Sequence, residues 1–280
     1  MRRRINETPR FAMAGGAADE AKAAIEHATG AGAPAAAEES AARSALSATQ
    51  GFLLLIQSRR MLIWLIGTAG AWALLDFCYY GNTISTPEIL DLLNPHASLL
   101  HNTLVQLAIF AIFAVPGYVV AILLLDKTGR RSIQVLGFFM MGLMFLLIGL
   151  IPSVTKTALL FALLYGISYF FTEFGPNTTT FIYPAEIFPT QVRTTGHGIS
   201  AGAGKLGAFL GAFLFPDFLN SSLGIRGAET IAGIVALVGM LLTILTLPEP
   251  RGKTLEQLEE EALTPSPAPQ RVQAAPSAGG

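Results

Sequence analysis

The sequence predicts an all-α membrane protein, a six-transmembrane-helix bundle, and three observations carry that prediction. Of 280 residues, 52% are hydrophobic and 13% are charged, about half the ~25% charged fraction of soluble domains. The apolar residues concentrate in 61–248, whereas 1–50 and 249–280 are polar, Ala/Pro-rich and charged. Within the middle region six runs reach the ~20 apolar residues that a helix needs to cross hydrocarbon. The expected organisation is a cytoplasmic linker over 1–60, largely disordered, then the transmembrane domain over 61–248. A cytoplasmic tail over 249–280 follows, with a short amphipathic helix at about 253–263.

In order, residues 12–50 are Ala-rich and broken by GAGAPAAA at 30–37, so they read as a solvated linker with transient helix. Phe52 to Ile56, followed by Gln57-Ser-Arg-Arg60, reads as an amphipathic approach to the membrane. Met1-Arg-Arg-Arg is followed by polar NETPR rather than an apolar stretch, so no cleavable signal is expected. The six spans are expected near 61–84, 99–124, 132–151, 157–182, 195–216 and 227–247. Turn chemistry separates them: Thr86-Pro87 through Asn94-Pro95, Asp126 to Arg131, Pro152-Ser153, Pro184 to Thr195, Pro216 to Gly227 and Pro248-Glu-Pro250. One set of loops carries Arg59, Arg60, Lys127, Arg130, Arg131, Arg193, Arg251 and Lys253, and the alternating set only Lys156 and Arg226. Positive-inside bias then predicts both termini in the cytoplasm of a multi-pass protein of the cell membrane.

Charges inside the spans are the candidates for function. Trp72, Asp76 and Tyr80 recur every four residues, which puts them on one face of a helix. Asp76 lies ~22 Å along its span at 1.5 Å per residue, where an ionised carboxylate is costly unless it is paired or faces a cavity. Lys205 sits inside the fifth span with the same difficulty, and snorkelling from mid-helix is hard. A cation opposing Asp76 would resolve both, with ~4 kcal/mol of attraction at ~4 Å and an effective dielectric near 20. Glu173, three residues before Pro176, reads either as a second titrating carboxylate or as a polar group satisfied by Thr or backbone in a broken helix. Gly175-Pro176 opens the preceding turn near Asn177, a feature shared by transport sites and by purely structural kinks. Gly196, Gly198, Gly202, Gly204, Gly207 and Gly211 give the fifth span small-residue spacing for close helix packing. His197 is expected to be satisfied locally, and His96 and His101 are assigned nothing. The single cysteine, Cys78, excludes an intramolecular disulfide framework and reads as a small apolar filler. Asp126 to Arg131 is a tight basic turn, with Glu186 and Arg193 on the same side and able to extend it into an ion-pair network.

These residues resemble a known family. DKTGRR at 126–131 resembles the loop signature of the major facilitator superfamily. PAEIFPTQVR at 184–193 and PEPRGKTLEQLEE at 248–260 are similar to elements of its sugar-porter and phosphate-porter branches. GTAGAWALLDFCYYGN at 67–82, with the stretch 174–208 from FGPNTTT to GAGKLGA, resembles the phosphate:proton symporter family. The Gln-rich first segment and GPxPW-type fourth segment of the sugar branch are not seen. The resemblance covers about 5–262 and runs along the second half of that fold. INETPRF at 5–11 is similar to the element after the sixth of twelve helices, and the six spans correspond to helices seven through twelve. It implies a phosphate site of Trp72, Asp76, Tyr80, Asn177 and Lys205 and, with the electrostatics above, proton coupling through Asp76. The residues themselves add Glu173 as a candidate second proton carrier and Asp126, Gly129, Arg130, Arg131, Glu186 and Arg193 as a candidate cytoplasmic gate.

The implied function is inorganic phosphate:proton symport by alternating access. The alternatives are symport of another small anion, organic acid or sugar within the superfamily, and a non-transporting remnant. The expected partners are phosphate, protons, the bilayer and, as a candidate, a separate N-terminal six-helix half. No nucleic acid, metal or cofactor is expected, and no nucleophile–base set or phosphate-cradling glycine loop supports an enzyme.

Overall fold

A computed structural model describes residues 18–29 and 47–263. The motif at 5–11, the break at 30–37 and the last residues of the tail lie outside these. The described residues are helical throughout. Short α1 (Ala18–Thr29) and α2 (Ala48–Gln57) precede six long helical passages, and α10 (Leu255–Leu263) closes the chain. The passages are α3 (Arg59–Leu93), α4 (Leu99–Thr128), α5 (Arg130–Leu150), α6 with α7 (Ala158–Phe174 and Pro176–Ile187), α8 (Arg193–Asn220) and α9 (Gly224–Thr246). Each passage is long and apolar enough to cross a membrane.

Three expected turns are shorter than the prolines suggested. α3 does not stop near Thr86 but runs through Pro87 to Leu93. Pro87 has no N–H to give the carbonyl four residues back, and that carbonyl, Thr83 O, instead accepts from Gln106 Nε2 of α4 at 3.1 Å. A tertiary side chain thus repairs the helix that the sequence alone would break. α8 likewise continues through Pro216 to Asn220, and α7 through Pro184 to Ile187. In α4 a single π-helical turn, Phe110–Ala114, precedes Pro116; such a wide turn tolerates a missing donor.

The glycines set how closely these helices meet. A Cβ on Gly207 would run into the Ala73 carbonyl and one on Gly211 into the Phe77 carbonyl, so α8 lies backbone-to-backbone on α3. Thr68 and Ser200 hydroxyls, 2.8 Å apart, pin the same seam. Gly142 and Gly233 perform the same service between α5 and α9, and Gly137 sits against Gly175 at the break between α6 and α7. That break is cross-tied: Thr179 Oγ1 donates to Gln134 Oε1 at 2.6 Å, and Gln134 Nε2 donates to Thr243 Oγ1 at 2.8 Å.

Among the described residues, two of the buried apolar clusters account for most of the packing. The larger gathers Leu75, Phe138, Met141, Phe145, Phe161, Tyr165 and Phe215. The second gathers Leu55, Met61, Trp64, Tyr183, Ile187, Phe188 and Leu247 at the end of the bundle that carries the basic loops. α10 docks there through buried Leu258 and Ala262, with Lys253 Nζ 2.5 Å from Glu261 Oε2 and Arg60 bonded to the Glu261 carbonyl. α2 enters that cluster through Leu55 and begins at a capping box formed by Ser47 and Gln50. The approach to the membrane is therefore a capped helix packed on the bundle.

Candidate functional site: a lysine–aspartate pair beside a tyrosine–glutamate cluster

Asp76 and Lys205 meet because Gly204, Gly207 and Gly211 let α8 lie close against α3. Gly204 lets the Trp72 indole lie flat against α8, and Gly207 and Gly211 bring the backbones together on either side of the Asp76 level. Lys205 Nζ then lies 3.3 Å from Asp76 Oδ2 and 3.4 Å from the Tyr80 hydroxyl, with its charge 5.0 Å from the centre of the Tyr80 ring. The pair is lopsided: the Asp76 side chain is 4% exposed and that of Lys205 62%. A buried carboxylate is reached from one side by a cation that stands on an open face.

Trp72 is fixed from three directions, by Gly204, by Phe181 at 4.5 Å and by His197 edge-on at 5.7 Å. Its indole N–H is buried and directed at the Asp76 carboxylate, just outside full hydrogen-bond geometry. Buried donors are rarely left unpaired, and this one is aimed at the same place as the lysine. His197 is occupied locally as an aromatic wall.

Glu173 and Asn177 form a second group beside the first. The Gly175-Pro176 break frees carbonyls at the end of α6, and a neighbouring side chain takes one up: Thr178 Oγ1 donates to Glu173 O at 2.6 Å. Asn177 Nδ2 donates to the Glu173 carboxylate and, at 2.9 Å, to the Tyr118 hydroxyl. The hydroxyls of Tyr79 and Tyr118 also reach Glu173. Side-chain donors from three helices, rather than threonine or backbone, thus satisfy this carboxylate. The two groups touch through adjacent Tyr79 and Tyr80, whose rings are 5.4 Å apart. The residues expected in one site therefore fall into two adjoining clusters, Trp72–Asp76–Tyr80–Lys205 and Glu173–Asn177. Sequence reasoning missed Tyr79 and Tyr118; nothing in an apolar run marks one tyrosine over its neighbour.

At the basic end, Arg130 is the hub. Its guanidinium grips both oxygens of Glu186 at 2.8–3.1 Å and pairs with Asp126 at 2.8 Å, a planar fork that lysine cannot reproduce. Gly129 turns the chain with φ +98°, open to glycine at little cost. The carboxylate of Glu249 fills the space a side chain there would need. Glu249 accepts from the N–H groups of Arg130 and Arg131, both at 3.0 Å, capping α5 where its unpaired donors and helix dipole favour an anion. Arg131 reaches the Ile244 carbonyl at 2.5 Å, and Arg193 Nε closes its own turn on Phe188 O at 3.0 Å. Glu249 was legible only as turn chemistry in PEPR, because its role depends on α9 returning beside α5.

A family model described as sugar (and other) transporter matches residues 3–262. The chain belongs to that family. Inorganic phosphate transporter 1-11 of Oryza sativa subsp. japonica is 38% identical to it over 216 residues, 73% of this chain and 39% of that protein. Low affinity inorganic phosphate transporter 4 of Lotus japonicus is 36% identical over 228 residues, 74% of this chain and 43% of that protein. The chain thus spans about two fifths of the length of the curated relatives it matches. The structure of a major facilitator superfamily proton:xylose symporter bound to 6-bromo-6-deoxy-D-glucose aligns with a TM-score of 0.68 at 20% identity, over 91% of this chain and 54% of that one. Double-tryptophan variants of the same symporter give 0.67 at 22%, over 92% and 54%. At such identities the likeness is one of fold: these six helices adopt the major facilitator architecture.

Proposed function

We propose that this chain forms one half of a proton-coupled inorganic phosphate transporter, with Trp72, Asp76, Tyr80, Lys205 and Asn177 as its contribution to the substrate site. The observation that carries the reading is the half-exposed ion pair. Lys205 stands on an open face, held by a buried carboxylate and flanked by the unpartnered Trp72 N–H. Relatives that are curated inorganic phosphate transporters support the choice of phosphate over a sugar.

The chemistry follows from charge. Phosphate near neutral pH carries between one and two negative charges, taking a second pKa near ~6 as in phosphate esters. An ionised Asp76 repels it, whereas a protonated Asp76 donates a hydrogen bond and frees Lys205 to pair with the anion. Trp72 and Tyr80 supply neutral donors that orient a tetrahedral oxyanion, and Asn177 joins them by exchanging its bond to Glu173 or Tyr118 for one to the anion. Loss of the Asp76 proton expels phosphate, and Lys205 returns to the carboxylate. Glu173, held by Asn177 and two tyrosines, is the second candidate carrier of a proton. The exposed side of α8 bears Gly198, Gly202, Lys205, Phe209 and Phe213, and an added Cβ at either glycine would meet nothing within 4 Å. Such a face suits close approach of a complementary six-helix half, which would complete the cavity around Lys205. The basic end, with Arg130, Glu186, Asp126 and Glu249, is then the cytoplasmic side and its ion pairs a latch between conformations. This reading makes the chain a transporter component rather than an enzyme, with 1–60 as linker, 61–248 as membrane domain and 249–280 as tail.

Reconstitution with a complementary half, followed by uptake of labelled phosphate in competition with sulfate and dicarboxylates, tests it. Phosphate should compete best; stronger competition by a dicarboxylate would move the assignment to another anion.

A further inference from the structure

A third carboxyl lies far from these clusters in character. Glu229 of α9 is fully buried, and neither of its oxygens has a hydrogen-bond partner. Among the described residues Trp72 Nε1 and Thr180 Oγ1 share that state elsewhere in the bundle, and on the α3 face toward α9 so do Asn82 Oδ1 and Ser85 Oγ, in residues 1% and 2% exposed. The helix register puts Asn82 opposite Glu229, with Ser85 one turn further along the same face of α3. α3 and α9 are the first and sixth passages and run antiparallel, and Cys78 Sγ donates to Ala232 O at 3.4 Å. One turn onward along α3 is Asn82, and the matching step back along α9 is Glu229. The titratable groups that face Glu229 from the neighbouring helices are Cys78 of α3 and Tyr165 and Tyr169 of α6.

The orientation of Asn82 is set by its surroundings. Its Nδ2 donates to Cys78 O at 3.2 Å, and since a carbonyl can only accept, Oδ1 is left on the other side. Tyr165 OH is already engaged with Asn82 O and Thr86, and Tyr169 OH with Thr83. No described cation compensates Glu229. Arg226, three residues earlier on α9, turns to the carbonyls of Gly149 and Leu150. The facing stretch of α5, 137–149, has no titratable residue, and Asp217 on α8 is exposed.

Donors and acceptors then decide the occupant. With Glu229 ionised, the Ser85 hydroxyl is a single donor for three unfilled acceptor oxygens. One added proton closes the set: the acid O–H donates to Asn82 Oδ1, and a small side-chain shift lets Ser85 donate to the remaining carboxyl oxygen.

We propose that Glu229, Asn82 and Ser85 form a buried proton-binding site, separate from the Asp76–Lys205 pair. The proton is the ligand, Glu229 carries it, and Asn82 and Ser85 are positioning residues that make the neutral acid the satisfied form. The test is infrared difference spectroscopy of the full chain in bilayers, in light and heavy water. The expected result is a protonated-carboxyl C=O band at neutral pH that persists in Asp76→Asn and disappears in Glu229→Gln. Asn82→Ala and Ser85→Ala retain the carboxyl and should each shift that band, which keeps the test decisive if Glu229→Gln fails to fold. A spectrum unchanged by Glu229→Gln, or a band unmoved by both positioning variants, overturns the proposal. So does a band abolished by sodium at constant pH, which would make the oxygens a metal-cation site. None of these readouts requires transport, so their failure is distinguishable from failure of the phosphate reading.

Discussion

Neutralising Asp76 and Lys205 one at a time should cost more than neutralising both. The charges are 3.3 Å apart, which gives ~5 kcal/mol of attraction at an effective dielectric of 20 and ~1.3 kcal/mol in bulk water. The buried carboxylate argues for the first figure and the 62% exposure of Lys205 for the second, so we expect a coupling of ~1–3 kcal/mol, within the range measured for contacting residues. Asp76→Asn keeps the shape of the side chain and leaves the ammonium unpaired. Lys205→Met removes the cation and leaves a buried carboxylate, the more damaging of the two because truncating one partner strands the other. The double variant removes both. The assay is equilibrium unfolding of the four proteins in lipid–detergent mixtures, read by tryptophan fluorescence, for which Trp72 lies against the site. Changes that simply add, to within ~0.5 kcal/mol, would refute the idea that these two charges hold each other.

Three further outcomes follow from the packing. Gly207→Ala and Gly211→Ala each force a Cβ into a carbonyl of α3 that cannot swing away, so thermal unfolding should show losses of ~1–3 kcal/mol; Gly198→Ala and Gly202→Ala, with open space at the Cβ, should be neutral or gain up to ~1 kcal/mol of helix propensity. Gln106→Ala should cost ~1–3 kcal/mol by stranding Thr83 O, and Pro87→Ala should rescue it by restoring the backbone donor; equal losses in both backgrounds in a denaturation series would contradict the repair. Glu249→Ala should destabilise the start of α5 by ~0.5–2 kcal/mol as a lost cap, visible as faster amide exchange at Arg130 and Arg131, while Asp126→Ala, at an 84% exposed side chain, should change stability by under ~1 kcal/mol.

How much of this was readable beforehand depends on whether the signal was local. Span length and apolarity are local, and all six passages were legible. So was the i, i+4, i+8 alignment of Trp72, Asp76 and Tyr80, and the prohibitive position of Lys205, which required some partner. Helix ends were not, because Pro87 is a breaker by itself and ceases to be one when Gln106 arrives from another helix. The same is true of Glu249, a turn residue until α9 brings it to the N-terminus of α5. Tyr79 and Tyr118 carried no mark, since which hydroxyl reaches Glu173 is settled by the approach of three helices. Glu229 did carry one, the same lone carboxyl in an apolar run that singled out Asp76. It went unread because it stands close to the start of its span, where a charge looks like a loop residue.

The central claim is that Lys205 and Asp76 exchange partners between each other and phosphate, with a proton on Asp76 as the switch. Uptake of labelled phosphate into proteoliposomes holding this chain and a complementary half, with and without an acid-outside gradient, tests it most directly. The account predicts that the gradient accelerates uptake in the wild type, that Asp76→Asn abolishes the acceleration, and that Lys205→Met abolishes uptake. Gradient-driven uptake that survives Asp76→Asn unchanged would contradict it.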